Sequence, residues 1–388
     1  MNAVENIAVV CEKFPLASQT FVKLHAEILH ADVFALELTA RLDEPLWAGR
    51  VHALGIEPGR QRLRVMAEKI YRRLFRPPWR IWLPIERRRL GRLMRQRRIT
   101  AVVVEFGQCL IGCGEAVFET GAKVVPHFHG VDLSAHLRDP SYVCKLRPLL
   151  NRCSDAIVVN DLMIDRLRKV LGFTGNIHVV PCPADLSVFK NLRRNDRAGF
   201  NILFVGRLVE KKGVTELIQA FSRYVELGGP GTLIIAGDGP LRQEATSAIL
   251  SAGLGERVEL RGEVTHEEAA NLMAGANIYA QHSKVGADGD EEGWPVAIAE
   301  ACAVGLPVVS TYHSAIPQQV LQGKTGFLVK EGDVEGMARA MLELANSPTL
   351  REQMGKAAQA HIQPFCDLEN YTRRLREILH HARPEREK

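Results

Sequence analysis

Two glutamates stand eight residues apart in the segment EGWPVAIAE, residues 292–300. Glu292 lies in a loop of glycines and acids, whereas Glu300 lies in an apolar run that Gly305 ends. Because proline suits the first turn of a helix, Pro295 predicts a helix with Glu292 just outside its N-terminus and Glu300 inside it. A buried acid needs a polar partner. Sugar hydroxyls suit such a pair of carboxylates, and a phosphate suits the N–H groups at the helix start.

Basic residues form a second candidate group around a glycine turn. Gly206 and Arg207 end a strand-like run, and Lys211 and Lys212 follow shortly after. A planar guanidinium and a mobile ammonium beside such a turn can hold a diphosphate. We favour Lys212 for this role, with Lys211 as the alternative if the register of the loop differs. An ordinary basic surface loop is the competing interpretation.

Other polar residues also follow strand-like runs. His129 could donate to a sugar hydroxyl and stabilise charge growing on an anomeric carbon, or it could be a structural histidine. Asp132 is predicted to cap the helix that follows it. Gly237 and Asp238 form a strand-to-helix turn that lets the backbone approach a ligand, unless it is turn chemistry alone.

The elements that must position these residues alternate along the chain. Apolar, β-branched runs predict strands at 7–11, 33–38, 101–107, 122–130, 155–160, 177–181, 201–206, 232–239, 257–262, 276–283, 306–310 and 326–329. Amphipathic stretches predict helices at 18–29, 214–227, 240–252, 266–274, 295–304 and 333–346. Strands that alternate with helices indicate parallel sheets. The two series, joined by a polar linker at 191–199, predict an α/β protein with two doubly wound, Rossmann-like domains that face a cleft.

Composition is typical of a globular protein, with 388 residues, 46% hydrophobic and 24% charged. The eight cysteines are scattered, which fits a reduced, cytoplasmic compartment. The first residues read as a strand and not as a signal peptide. No apolar run is long enough to span a membrane.

The net charge of +5 conceals one strongly basic segment. Residues 60–98 contain 15 Lys and Arg against two Glu, an excess of 13, which leaves −8 for the rest of the chain. Trp79 and Trp82 are interleaved with these arginines, a composition that suits helices at an anionic lipid surface. A solvated basic helix is the alternative. Nucleic acid is not expected, because no recognition motif accompanies the charge.

These motifs together resemble the retaining nucleotide-sugar glycosyltransferases of family four, which have the B-type fold (GT-B). Residues 292–300 match the Glu-x7-Glu signature of that family. The segments HGVD (129–132), GRLVEKKG (206–213), AGDGPL (236–241) and TGFLV (325–329) occur in the order that the family shows. FPLASQTF (14–21) resembles a subgroup that builds bacterial exopolysaccharides. The sequence departs from the family at Ser314 and Gln318, where glycine and glutamate are usual, and at Gln19.

The resemblance implies sugar transfer from a UDP- or GDP-sugar to an acceptor hydroxyl with retention of configuration and without a metal or other cofactor. It assigns the diphosphate to Arg207 and Lys212, the donor-sugar hydroxyls to Glu292 and the ribose to Glu300. Catalytic roles fall to His129, Arg207, Lys212 and Glu292. Donor-binding positions are Gly206, Arg207, Lys212, Gly237, Asp238, Gly262, Val264, Glu292, Gly293, Trp294, Pro295, Val296 and Glu300. The acceptor side is assigned to Ser18, Gln19 and Thr20, and the acceptor is expected to be a glycan or a lipid-linked glycan.

We therefore expect an acceptor domain at 1–185, a donor domain at 186–365 and a final helix at 366–388 that returns to the first domain. The protein would lie at the inner face of the plasma membrane, held there by residues 60–98. The alternatives are a nucleotide-sugar epimerase or phosphorylase with the same fold, or a protein that binds the nucleotide sugar without turnover. A nicotinamide site at Gly112 and Gly114 is not expected, because Val117 replaces the third small residue of that fingerprint.

Overall fold

The computed structural model describes residues 6–15, 20–39, 45–55, 82–184, 186 and 199–380. These residues divide into two compact units, with breaks after Pro181 and after Leu368. The expected boundaries after 185 and 365 differ from these breaks by four and three residues.

The first unit is built on a seven-stranded sheet in the order β3-β2-β1-β4-β5-β6-β7. Its strands are β1 (Ile7–Phe14), β2 (Asp32–Leu38), β3 (Val51–Ala53), β4 (Ala101–Glu105), β5 (Lys123–Phe128), β6 (Asp155–Val158) and β7 (Asn176–Val179). Every neighbouring pair is parallel. Strands covered on both faces read as continuous apolar runs, as β4 does, where all five residues are buried. The strand order reverses between β1 and β4, which is where doubly wound folds bind ligands.

Six α-helices accompany this sheet among the described residues: α1 (Thr20–Ile28), α2 (Pro84–Gln96), α3 (Gly107–Phe118), α4 (Pro140–Leu150), α5 (Leu162–Asp165) and α13 (Leu368–His380). Helix α13 comes from the far end of the sequence. Its apolar face, with Tyr371, Leu375 and Ile378, joins the same core cluster as Val9 and Val22. Nζ of Lys123 also donates to the carbonyl oxygen of Ile378 at 2.5 Å. The described part of the last helix therefore belongs to the first unit.

The second unit has a six-stranded parallel sheet in the order β10-β9-β8-β11-β12-β13. Its strands are β8 (Asn201–Val205), β9 (Thr232–Ala236), β10 (Val258–Gly262), β11 (Ile278–Ala280), β12 (Val308–Thr311) and β13 (Gly326–Val329). Its α-helices are α6 (Val214–Glu226), α7 (Arg242–Ser251), α8 (His266–Ala274), α9 (Val296–Val304), α10 (Ile316–Gln319), α11 (Val334–Asn346) and α12 (Pro348–Ile362). The order reverses between β8 and β11. The prediction of two doubly wound α/β domains is confirmed.

Part of the basic segment differs from its prediction. Trp82, expected at a lipid surface, is only 1% exposed. A methyl group on Gly112 would lie 2.0 Å from Cδ1 of Trp82, so the indole fills the space above that glycine. Trp82 is therefore a core residue, because α3 offers it a flat glycine surface. Trp79 and the other residues of 60–81 lie outside the described residues. No helix in the described ranges combines the length and apolar character needed to cross a bilayer.

Candidate active site

Three glycines meet at the carboxyl ends of β8, β9 and β10. The N–H of Gly237 donates to the carbonyl of Gly262 at 2.7 Å, and that of Gly206 donates to the carbonyl of Ala236 at 3.0 Å. Gly237 has a φ of 145°, and a Cβ there would lie 1.9 Å from the carbonyl oxygen of Gly206. A side chain is therefore excluded, and bare backbone forms this edge of the sheet.

Lys212 is delivered to this edge by a tight turn. Residues Glu210–Lys212 form a 3₁₀ turn, and Gly213, with a φ of 60°, is the N-cap of α6. A Cβ on Gly213 would lie 1.7 Å from the carbonyl oxygen of His282, so only glycine fits. A methyl group on Gly206 would lie 3.6 Å from Cε of Lys212, which shows that the lysine stem passes beside the glycine edge.

The ammonium of Lys212 contacts the carboxylate of Glu292, with 2.8 Å between Nζ and Oε1. Glu292 is 6% exposed, and Nε2 of Gln281 approaches the same oxygen at 3.4 Å. The burial of Glu292 would raise its pKa, but the charges of Lys212 and Lys211 and the hydrogen bond from Lys212 lower it below the ordinary value. Glu292 is therefore an ionised, buried acceptor.

The backbone around Glu292 is held from the loop after β12. Its N–H donates to Nε2 of His313 at 3.1 Å, and Nδ1 of His313 lies 2.6 Å from Oε1 of Glu331. Oγ of Ser314 donates to the carbonyl oxygen of Glu292 at 2.5 Å. Ser314 adopts a φ of 44°, a left-handed conformation that costs a residue other than glycine about 1 kcal/mol. The departure from the family glycine at this position thus adds one hydrogen bond and one strained residue.

Lys211 and Arg207 occupy different surroundings. Nζ of Lys211 lies 3.0 Å from Asp290 and donates to the carbonyl oxygen of Glu291 at 3.1 Å. Of the two adjacent lysines, Lys212 is thus the one paired with Glu292. Arg207 is exposed, and none of the described carboxylates pairs with its guanidinium. The structure gathers Gly206, Lys212 and Glu292 and leaves Arg207 at the surface of the same loop.

Helix α9 carries Glu300 as predicted, with Pro295 as its N-cap and not inside its first turn. Oε1 of Glu300 lies 2.9 Å from Nε2 of His266, and Glu300 is 7% exposed. His266 is the first residue of α8, which a capping box of Thr265 and Glu268 begins. The contact joins the start of α8 to the second signature acid.

The remaining donor positions contribute in other ways. Gly293 and Pro295 are buried beside Glu292, and Val296 starts α9. The ring of Trp294 is buried against Phe365, 5.2 Å between centroids, and its Nε1–H has no hydrogen-bond partner among the described residues. Asp238 is exposed and accepts the N–H of Gly239 at 2.7 Å, which is a turn role. Val264 is half-buried against the core of this unit.

In the first unit, His129 follows β5 and turns inward. Its Nε2 lies 2.7 Å from Oε2 of Glu105, and its ring stacks on Phe21 with 4.2 Å between centroids. Asp132 does not cap the segment that follows it, and that prediction is wrong; its Oδ2 instead accepts the N–H of Gly107, the first residue of α3, at 3.2 Å. The carboxylate accepts the N–H groups of His129 and Gly130, both at 3.0 Å, because the next segment breaks into two 3₁₀ turns. Nε2 of His129 is thus directed at a buried acid and not at a ligand.

Glu105 is the centre of a fully buried cluster. Its other oxygen lies 2.8 Å from Nδ1 of His25, and the ring of His127 stacks on that of His25 and packs tilted against that of His129. Burial would raise the pKa of Glu105, but the charges of His25 and His127 and hydrogen bonds from His129 and His25 lower it well below the ordinary value. Burial also lowers the pKa of His127. Ligand atoms of His25, Glu105 and His127 lie within 4.8 Å of one another, so a divalent cation is a chemically reasonable occupant.

On the acceptor side, Ser18 and Gln19 lie outside the described residues, and Thr20 is the exposed first residue of α1. The residues that sequence reasoning missed include four that hydrogen-bond to signature residues: Glu105, His266, Gln281 and His313. Each lies 11 to 34 positions away from its partner along the chain, so no local spacing reveals the pair. A polar residue just beyond a buried strand was the only available signal, as at Gln281 after β11.

Two family profiles match consecutive parts of the chain. The family described as Glycosyltransferase Family 4 matches residues 31–188, and the family described as Glycosyl transferases group 1 matches residues 189–361. Together they account for the described parts of both sheets from β2 onward.

Relatives and solved structures agree with these profiles. The colanic acid biosynthesis glycosyltransferase WcaL of Escherichia coli (strain K12) is 29% identical over 367 residues, which cover 87% of this chain and 90% of that protein. The amylovoran biosynthesis glycosyltransferase AmsK of Erwinia amylovora is 38% identical over 178 residues, 46% of this chain and 44% of that protein. Anabaena Alr3699/HepE, solved with UDP and glucose, shares the fold with a TM-score of 0.76 at 18% identity, covering 97% of this chain and 99% of that chain. The chain belongs to the family-four glycosyltransferases with the B-type fold.

Proposed function

We propose that this protein transfers a sugar from a UDP- or GDP-sugar to an acceptor hydroxyl, with retention of configuration, in the synthesis of an exopolysaccharide or lipid-linked glycan. The contact between Lys212 and Glu292 beside the glycine edge is the observation that carries the proposal. It sets a cation for a diphosphate next to an ionised acceptor for sugar hydroxyls. The named activities of WcaL and AmsK support the glycan class.

In the proposed reaction, the bond between the anomeric carbon and the diphosphate oxygen breaks, and its electron pair stays on the diphosphate. The acceptor oxygen forms the new bond on the same face, and its proton passes to a diphosphate oxygen. Lys212 and Arg207 stabilise the departing charge, which is the largest contribution needed. An ammonium has three donors, so Lys212 can keep Glu292 and still bind a phosphate oxygen.

We propose that two acids and His129 bind the sugar and the nucleoside of the donor. Glu292 accepts from hydroxyls of the donor sugar, Glu300 accepts from the ribose, and His129 of the first unit contacts the sugar. The reaction as proposed uses cationic side chains in place of a metal, so activity should persist in a chelator. The acceptor is proposed to meet the segment around Thr20.

Helix α2 supports a membrane-facing acceptor site. Its buried face carries Leu90 and Met94, while Ile85 is 59% exposed on the opposite face. Arg88 and Arg92 are exposed on that same face, at positions three and seven residues after Ile85. A basic face with an exposed apolar residue complements an anionic phospholipid surface. We therefore propose peripheral attachment at the inner face of the plasma membrane, where a lipid-linked acceptor would lie.

A donor screen with purified protein and membrane lipid extracts tests the proposal. One UDP- or GDP-sugar should be consumed only when acceptor is present, and the product should keep the anomeric configuration of the donor by NMR. Lys212→Ala and Glu292→Ala should each lower turnover at least ~1000-fold, consistent with the loss of transition-state contacts. Lys356→Ala, which removes an exposed cation of the second unit, is the control for general charge effects.

Other outcomes would assign the site differently. Conversion of the nucleotide sugar without acceptor would favour an epimerase, and dependence on inorganic phosphate would favour a phosphorylase. Tight binding of the nucleotide sugar with no product from any acceptor extract would favour a binding protein. Normal turnover in the Glu292→Ala protein would refute the site.

A further inference from the structure

The carboxylate of Glu105 accepts one hydrogen bond on each of its oxygens. Nδ1 of His25 lies 2.8 Å from Oε1, and Nε2 of His129 lies 2.7 Å from Oε2. Glu105 ends β4 and has no exposed surface. An ionised carboxylate can only accept, so both imidazole nitrogens that face it must carry a hydrogen.

The last helix, α13, contacts His25 on the side away from Glu105. The hydroxyl of Tyr371 on α13 lies 2.5 Å from Nε2 of His25. Because Nδ1 of His25 donates to Glu105, its Nε2 is the ring nitrogen that meets the hydroxyl of Tyr371. Four side chains thus form an ordered chain of hydrogen bonds from Tyr371 through His25 and Glu105 to His129.

These hydrogen bonds constrain the ring of His129. Its Nε2–H is committed to Glu105, Phe21 stacks on its ring at 4.2 Å, and Phe106 packs tilted against it at 4.6 Å between centroids. We propose that Glu105 is the positioning residue of His129, holding its ring in one orientation and in the Nε2–H form. This rests on the proposed role of His129 in transfer.

The neighbouring charges are consistent with this role. The groups that face Glu105 are His25, His127 and His129, and the charges and hydrogen bonds of these rings outweigh its burial. Nδ1 of His127 lies 3.5 Å from Oε2 of Glu105 without forming a hydrogen bond, and its ring packs tilted against His129 with 4.1 Å between centroids. A bound divalent cation would compete with this arrangement, since it would take the nitrogen lone pairs in place of the hydrogens.

The first test needs no substrate. Nitrogen-15 histidine spectra of the whole protein report which ring nitrogen carries the hydrogen, with His129→Gln used to assign the signal. We expect His129 to be protonated at Nε2. In Glu105→Gln the amide accepts from one imidazole and donates to the other, so the signal of either His129 or His25 should shift toward its other tautomer. A wild-type His129 protonated only at Nδ1, or stoichiometric zinc in the purified protein, would overturn the proposal even if the Glu105 variant does not fold.

The second test is kinetic. Glu105→Gln should lower kcat about 10- to 100-fold, with KM for the donor changed less than about threefold, because orientation in the transition state is lost and not the donor pocket. Tyr371→Phe is the matched control, since it removes the outer hydrogen bond and leaves that between Glu105 and His129. It should keep kcat and lower Tm by roughly 2–4 °C.

The outcomes separate the two proposals. An unchanged kcat in Glu105→Gln, beside a large loss in His129→Ala, would overturn the positioning role alone. Full activity in His129→Ala would instead remove His129 from the reaction, whatever the spectra show.

Discussion

Nε2 of His266 and Oε1 of Glu300 lie 2.9 Å apart, which ties the first residue of α8 to the second signature acid of α9. His266 is partly exposed, with 28% of its side chain open to solvent. A hydrogen bond to a carboxylate fixes the direction in which that carboxylate points, and Glu300 is the residue we assign to the ribose.

Loss of His266 should therefore weaken donor binding without slowing the chemical step. We expect His266→Ala to raise the KM for the donor about tenfold and to leave kcat within about twofold, because the ribose is bound equally before and during reaction. Steady-state kinetics with varied donor check this. Glu267→Gln, an exposed change one position away, is the control. A KM that rises in Glu300→Ala but not in His266→Ala would show that His266 has no such role.

The ion pair of Lys212 and Glu292 should make stability depend on pH in a specific way. The pKa of Glu292 is depressed in the folded protein, so its contribution is complete above the unfolded value of about 4.3 and is lost as pH falls through the folded value. Lys212→Ala leaves a buried carboxylate unpaired and should cost about 3–5 kcal/mol near neutral pH, or roughly 10 °C in Tm.

The deficit of Lys212→Ala should shrink as pH approaches about 4, because burial then favours the protonated acid. Thermal melts across this pH range measure the effect. Lys356→Ala breaks the exposed pair with Glu352 and should change Tm little at any pH. A deficit that stays constant with pH would mean that Glu292 is not the group left unpaired.

Ser314 combines strain with a hydrogen bond, and two substitutions separate them. Ser314→Ala keeps the left-handed backbone and loses the bond to the carbonyl of Glu292, so it should cost about 1 kcal/mol. Ser314→Gly loses the bond but also relieves strain of about 1 kcal/mol, so it should be nearly neutral. The Gly variant should melt a few degrees above the Ala variant. Equal melting temperatures would contradict a strained serine.

The exposed face of α2 should bind anionic vesicles. Replacing Arg88, Arg92 and Arg95 with Gln should lower affinity for phosphatidylglycerol vesicles about 100-fold at low salt, at about 1 kcal/mol for each charge. Co-sedimentation at low and high salt measures this. A triple Gln variant of Lys169, Arg339 and Lys356, all highly exposed, is the charge-matched control. Equal losses in both variants would indicate net charge and not this helix face.

The buried strands were predictable because both faces of a parallel sheet are covered, which makes their sequences continuously apolar. Edge strand β3 was missed, since three half-buried residues give no such signal. Helix α12 was missed although Ser347 and Pro348 mark its start. Strand β1 was predicted too short, because Glu12 and Lys13 interrupt its apolar run.

The candidate site likewise contains residues that could be predicted from the sequence and residues that could not. Lys212, Glu292 and Glu300 were found because their spacing is local and follows the turn and helix that hold them. Their partners His266 and His313 were not found, because they are distant in sequence and only the fold brings them next to Glu300 and Glu292. Asp132 was misassigned because its carboxylate serves the backbone before it and not the turn after it.

Helix α13 has a consequence for how the chain is made. The core of the first unit includes Tyr371, Leu375 and Ile378, yet these residues leave the ribosome after the whole second unit. Until then, the apolar surface beside β1 and α1 stays uncovered. The second unit should therefore complete its folding first, although most of the first unit is synthesised before it. The first unit can complete its core only after α13 has been synthesised.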